Sequence, residues 1–120
     1  MWPLKNSDKL SVRWIDGDFA VGGQVDPADI AKVKAAGFKS ILCARPDQEE
    51  PGQPAFGLVA QSAAAAGIET VHIPVSGPLT EGALIRMEQA LETLPRPILG
   101  YCRSGARAGS LYVAAMRARN

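Results

Sequence analysis

Near the end of the chain, Cys102-Arg103-Ser104-Gly105-Ala106-Arg107 places a thiol, two arginines and a glycine within one short turn. A cysteine attacks only as its thiolate, and the surroundings of this one favour that form. The apolar run PILGY, Pro97 to Tyr101, precedes it, and Leu111, Val113, Ala114 and Met116 mark a helix after it. The turn therefore joins a strand to a helix N-terminus, where unpaired amides and the helix dipole attract anions. Arg103 and Arg107 add formal charge that lowers a neighbouring thiol's pKa, and Gly105 supplies the backbone freedom a tight loop needs. Cys102 is expected to be the nucleophile. The amides of residues 103 to 107, those of Ser104, Gly105 and Ala106 included, are expected to cup an anion, and Arg107 to hold an oxyanion with two hydrogen bonds. The plainer alternative, a small buried cysteine with solvated arginines, is disfavoured by the order strand-Cys-Arg-x-Gly-x-Arg-helix.

Other residues able to do chemistry lie in the loop after FKSILCA, Phe38 to Ala44. Arg45 is expected to add a second cation for an anionic substrate, with an internal ion pair that orders the loop as an equal alternative. Asp47 is a possible accessory acid in the same loop, as is Glu81 further on. Cys43 invites comparison with a resolving thiol for Cys102, although ordinary core packing is the favoured reading. His72, the single histidine, sits two residues before Pro74 in an apolar run and is expected to be structural and hydrogen-bonded. Trp2 and Trp14 are assigned packing roles only.

The elements that must position these groups follow from local pattern. Leu10 to Val25 suggests two short strands around a turn at Asp16 to Asp18. Asp26-Pro27 opens a helix that runs to Ala36 and stops at Gly37. Phe38 to Ala44 has the composition of a buried strand, and the polar segment from Arg45 to Pro54 is a loop. A helix over Ala55 to Ala66, a strand over Ile68 to Val75, a helix opened by Thr80-Glu81 and closed at Pro95, and the strand and helix around Cys102 complete the chain. Helices separating apolar strands predict an α/β three-layer sandwich, with a central, mostly parallel sheet covered by helices on both faces. Ligands of such sheets bind at the carboxyl ends of the strands, where the Arg45, Ser76 and Cys102 loops meet.

Composition narrows the function classes. With 120 residues and 47% hydrophobic content, one domain spanning 1–120 with a single core is expected. Thirteen Lys and Arg against twelve Asp and Glu leave a net charge of +1, which gives no general attraction to nucleic acid or an anionic membrane. No run approaches the roughly 18 apolar residues of a membrane helix, and Met1 to Leu10 lacks a signal-peptide core, so a cytoplasmic location is expected. Two cysteines form no disulfide framework, and one histidine without a Cys-x2-Cys pair argues against zinc. No cofactor is expected.

The string YCRSGARA resembles the active-site loop of rhodanese-type sulfurtransferases, which carry a persulfide on their cysteine. Over Leu10 to Arg117, however, GGQVDPADI, AAGFKSILCARPDQEEPGQP, AAGIETVHIPV and YCRSGARA are similar in order and spacing to the phosphatase-like domain of β-lactamase-hydrolase-like proteins. That resemblance implies a protein-tyrosine-phosphatase-like, dual-specificity-type fold. It also implies a persulfide dioxygenase as a candidate partner.

Phosphatases of this type place five residues between cysteine and arginine and a general-acid Asp after the strand matching VHIPV. Here four residues separate Cys102 from Arg107, Ser76-Gly77 follows that strand, and Ala108 replaces the hydroxyl residue expected after the arginine. A smaller cup and a missing proton donor favour transfer of a sulfane sulfur through a Cys102 persulfide to a thiol acceptor or cyanide, since sulfite leaves without a proton. Sulfur transfer from a small sulfane-sulfur donor is thus the leading expectation. Hydrolysis of a small anionic phosphate ester through phosphocysteine is the alternative, and a persulfide- or anion-binding module for a partner is the third.

Overall fold

The computed structural model describes residues 10–119; Trp2 lies outside them. Five strands form one sheet: β1 (Val12–Trp14), β2 (Phe19–Gly22), β3 (Ser40–Cys43), β4 (Glu69–His72) and β5 (Ile98–Tyr101). Four helices accompany them: α1 (Ile30–Ala35), preceded by a 3-10 turn at Pro27–Asp29, α2 (Phe56–Ala65), α3 (Glu81–Thr93) and α4 (Ala106–Arg119). The strand order is β1-β2-β5-β3-β4; β1 is antiparallel to β2 and every other pairing is parallel. The α/β sandwich expected from the alternation is the observed architecture. Each expected element is present, and its strands are shorter than the apolar runs suggested because pairing ends where the loops turn away. The helix expected from Pro27 to Ala36 begins as a 3-10 turn.

Strand alternation divides the core into two layers. Phe19, Val21, Leu42, Ile98 and Cys102 face α3 and α4, whereas Ala20, Ile41, Cys43, Leu99 and Tyr101 face α1 and α2. Phe19, Ile41, Leu42 and Ile98 have no solvent exposure, and each such side chain contributes about 1.5–3 kcal/mol relative to leaving it in water. Gly100, in the central strand, makes room for a ring: a Cβ there would lie 2.6 Å from Phe19 Cζ. Phe19 in turn meets Tyr112 of α4 edge-on, with centroids 4.2 Å apart.

Register fixes where the loops converge. Tyr101 is level with both Gly22 and Cys43, and Cys43 with His72, so four parallel strands end in one row. The chain leaves that row through the loops carrying Gly23, Cys102, Arg45 and Val75. Side chains then fix these exits. Asp47 Oδ1 accepts from the Phe56 amide at 2.8 Å, closing the start of α2, and Thr80 Oγ1 accepts from the Ala83 amide at 3.1 Å, capping α3. No described helix is long and apolar enough to cross a membrane.

Candidate active site

Cys102 follows β5 directly, with 1% of its surface exposed. Its amide donates to Gly22 O at 3.3 Å, which ties the start of the loop to the neighbouring strand. The loop then doubles back: Gly105 adopts φ +95°, and its amide donates to Cys102 Sγ at 3.0 Å. A side chain at Gly105 would be strained by that φ and crowded by Gly22, whose N lies 3.2 Å from the position of a Cβ. Burial pushes the thiol's pKa upward, but the amides of Ala108, Ser104, Arg107 and Gly105 together outweigh it and hold Cys102 below the ordinary thiol range. Four amides thus act on the sulfur, those of Ser104, Gly105, Arg107 and Ala108; Ala108 lies one residue beyond the expected segment, and Arg103 and Ala106, expected in it, are not among them. Ser104 Oγ accepts from the Ala106 amide at 3.3 Å, stabilising the turn itself, and Arg103 lies exposed on the rim.

Arg107, in the first turn of α4, is held on one side by Glu49: Nη1 donates to Oε2 at 2.6 Å and Nη2 to Oε1 at 2.9 Å. Nη1 also donates to Val75 O at 2.9 Å, on the segment after β4. The paired carboxylate of Glu49 is the main reason the Arg107 pKa lies above its ordinary value, with the neighbouring Cys102 adding to it. Glu49 is correspondingly depressed to about 2, first by Arg107 and then by Arg45.

Arg45 differs from the expectation of a substrate-facing cation. It is 2% exposed, and each of its three nitrogens donates to a side chain: Nε to Glu49 at 2.8 Å, Nη2 to Glu50 at 2.7 Å and Nη1 to Gln24 Oε1 at 2.9 Å. The physical reason is burial, since an arginine withdrawn from water requires carboxylates and amide oxygens around its whole edge. It therefore reaches the Cys102 cup only through Glu49. Asp47, the candidate accessory acid, spends one carboxylate oxygen on the α2 amide. Cys43 lies on the opposite face of the sheet from Cys102, level with Tyr101, and its thiol donates to Arg45 O at 3.3 Å. Period-two alternation forbids the resolving-pair arrangement: Tyr101 and Cys102 are consecutive and point opposite ways.

His72 is structural as expected. Its Nε2 donates to Arg45 O at 2.8 Å, and its ring stacks on Phe56 with centroids 4.6 Å apart. Trp14 stacks on Phe38 with centroids 5.1 Å apart. Glu81 opens α3 as an exposed residue. Sequence reasoning misses Glu49 and Gln24. Glu49 stands 58 positions from Arg107 and Gln24 stands 21 from Arg45, so no local pattern marks either contact.

A mostly parallel sheet whose central strand delivers Cys102 into a ring of amides, with an arginine from the next helical turn beside it, defines a phosphatase-like domain with a protein-tyrosine-phosphatase-like fold. The chain belongs to the family of β-lactamase hydrolase-like protein phosphatase-like domains, whose profile matches residues 11–118. A β-lactamase hydrolase-like protein of Agrobacterium fabrum is 42% identical over 100 residues, covering 82% of this chain and 23% of that protein. The chain thus spans about a quarter of the length of the curated relatives it matches. Among solved structures, a proposed phosphatase of Neisseria meningitidis is 30% identical, with a TM-score of 0.75 over 88% of this chain and 73% of that one. A mutant form of Tk-PTP shares the fold at 21% identity, with a TM-score of 0.70 over 92% of this chain and 73% of that one.

Proposed function

We propose that this domain is a cysteine-dependent phosphatase acting on small phosphate monoesters with acidic leaving groups. The observation that carries the reading is the convergence of the loop amides on the Cys102 sulfur, with Arg107 in the same loop at the start of α4. The family and the structural relatives favour phosphoryl chemistry over the sulfur transfer expected from the loop's length. In the first step the Cys102 thiolate attacks phosphorus, an S–P bond forms, and the ester P–O bond breaks with its electron pair leaving on oxygen. The amides and Arg107 stabilise the charge on the transferring oxygens. In the second step water attacks phosphorus, the S–P bond breaks, and inorganic phosphate departs from the restored thiolate.

The leaving group must depart without protein help. Glu49 is held ionised between two arginines, Glu50 is depressed by Arg45, Asp47 caps α2, and Ser76-Gly77 follows β4 in place of a carboxylate. A phenolate departs as an anion at neutral pH, whereas an alkoxide needs a proton. Aryl phosphates are therefore the expected substrates, with alkyl phosphates poor ones. Sulfane-sulfur transfer remains a second reading, favoured specifically by the four-residue spacing of Cys102 and Arg107 and by the same lack of an acid. Hydrolysis of p-nitrophenyl phosphate, set beside thiosulfate-to-cyanide transfer, separates the two. Hydrolysis lost in Cys102→Ser is the expected result; cyanide-dependent transfer without hydrolysis overturns the phosphatase reading.

A further inference from the structure

We propose that the outer face of the α3–α4 layer is self-complementary and docks against the same face of a second copy of this chain. The inference goes beyond the phosphatase reading and does not depend on the chemistry at Cys102. A groove of about 740 Å³ runs between β1 and α4, lined by Ile15, Leu79, Ser110 and Val113 and bordered by Arg13 and Arg117. Arg13 marks the end next to the Cys102 loop, where it also lines a neighbouring cleft with Ser104 and Ala106. Arg117 marks the other end. Ala106, Ser110, Val113 and Arg117 recur at helical spacing and form the exposed stripe of α4, and its small residues leave the groove open.

The adjoining helix carries the opposite charge. α3 packs directly on α4, and its Glu81, Ile85, Glu88 and Glu92 share one face at the same spacing, with Ile85 47% exposed. Of the four large apolar side chains exposed among the described residues, Ile85 and Val113 are two, so each stripe offers one apolar contact. None of Arg13, Arg117, Glu81, Glu88 and Glu92 forms an ion pair among the described residues. An acidic ridge and a cationic groove thus lie side by side on one face, both unpaired. A two-fold axis across that face puts the ridge of each copy into the groove of the other, and the contact forms twice. The lengths agree, since Glu81 to Glu92 and Ala106 to Arg117 each advance about 16 Å along a helix axis. A net charge of +1 leaves little overall repulsion between copies.

Sedimentation equilibrium of the full chain, from about 10 µM to about 1 mM at low ionic strength, is expected to show a monomer–dimer equilibrium that weakens as salt screens the exposed charges. Arg13→Glu with Arg117→Glu, and separately Glu88→Lys with Glu92→Lys, place like charges across the contact and each weaken self-association about tenfold or more. Mixed in equal amounts, the two variants regain it. The first offers an acidic groove and an acidic ridge, the second a basic groove and a basic ridge, so both contacts of the mixed pair join opposite charges. Ile85→Asp, a single exposed change on the ridge, also weakens the dimer while the thermal midpoint stays near wild type. A wild type that remains monomeric throughout, assembly beyond dimers, self-association unchanged by the reversals or by Ile85→Asp, or a mixture that remains monomeric overturns the proposal.

Discussion

Gly23 stands against the carbonyl of Arg103: a Cβ at Gly23 would lie 3.0 Å from that oxygen, so the loop after β2 buttresses the Cys102 loop from behind. Any side chain there pushes on the backbone that aims the amides. Gly23→Ala is expected to lower kcat/KM for p-nitrophenyl phosphate about tenfold, because sub-ångström misplacement of reacting groups is costly, while the thermal midpoint stays near wild type. Gly100→Ala serves as the contrast. Its Cβ would sit 2.6 Å from Phe19 Cζ, so it is expected to destabilise the fold by about 1–3 kcal/mol through overpacking. Equal effects of the two changes on stability would count against the buttress.

Four amides lower the pKa of Cys102 against its burial. A lowered pKa means that the thiolate persists to lower pH than in a free thiol. Iodoacetamide labelling of Cys102 should therefore rise with pH and reach its midpoint below that of a free cysteine peptide under the same conditions. Mass spectrometry of the labelled peptides reads this directly. A midpoint at or above that of the peptide would mean that burial prevails.

Cys43 and Cys102 face opposite layers of the core. Mild oxidation with hydrogen peroxide is expected to modify Cys102 without linking it to Cys43, whose thiol burial pushes above the usual range. Non-reducing peptide mapping checks this. A Cys43–Cys102 disulfide formed by the folded protein would contradict the strand register.

Tyr112 of α4 donates to Asp16 Oδ2, and Asp16 Oδ1 accepts from the amides of Asp18 and Phe19 at 2.8 and 3.0 Å. The contact fastens the β1–β2 turn to the helix that carries Arg107. Tyr112→Phe is expected to cost about 1–2 kcal/mol at neutral pH, at the lower end for a hydrogen bond to a charged group because Asp16 is exposed to solvent. Burial alone would raise the pKa of Asp16, but Tyr112 and the turn amides hold it below the usual carboxylate value. The stabilisation is therefore present above the unfolded carboxylate's pKa and lost as pH falls through the folded one. Denaturant titrations should show the gap between wild type and variant narrowing in acid; a gap that widens there would refute the assignment.

The architecture was legible because it depends on local signals. Asp26-Pro27, Gly37, Gly67 and Pro95 punctuate the chain, and apolar runs between helical patterns allow little besides a parallel sheet. Cys102 and Arg107 were legible for the same reason, since one short turn holds both. The preference for sulfur over phosphate came from counting four residues in that turn and from Ser76-Gly77 standing where an acid was expected, and neither says where the amides point. The family to which the chain belongs favours the other chemistry.

The sequence by itself determined the layered fold, the turn that brings Cys102 and Arg107 together at the end of the central strand, and the hydrogen-bonded place of His72. Only the tertiary structure decided that Arg45 is an internal anchor, that Cys43 is turned away, and that Glu49 grips Arg107. Those three relationships join residues brought together by strand order and register. Whether a buried arginine faces a substrate or a carboxylate depends on which loops the sheet delivers beside it, and that is set by packing across the whole chain.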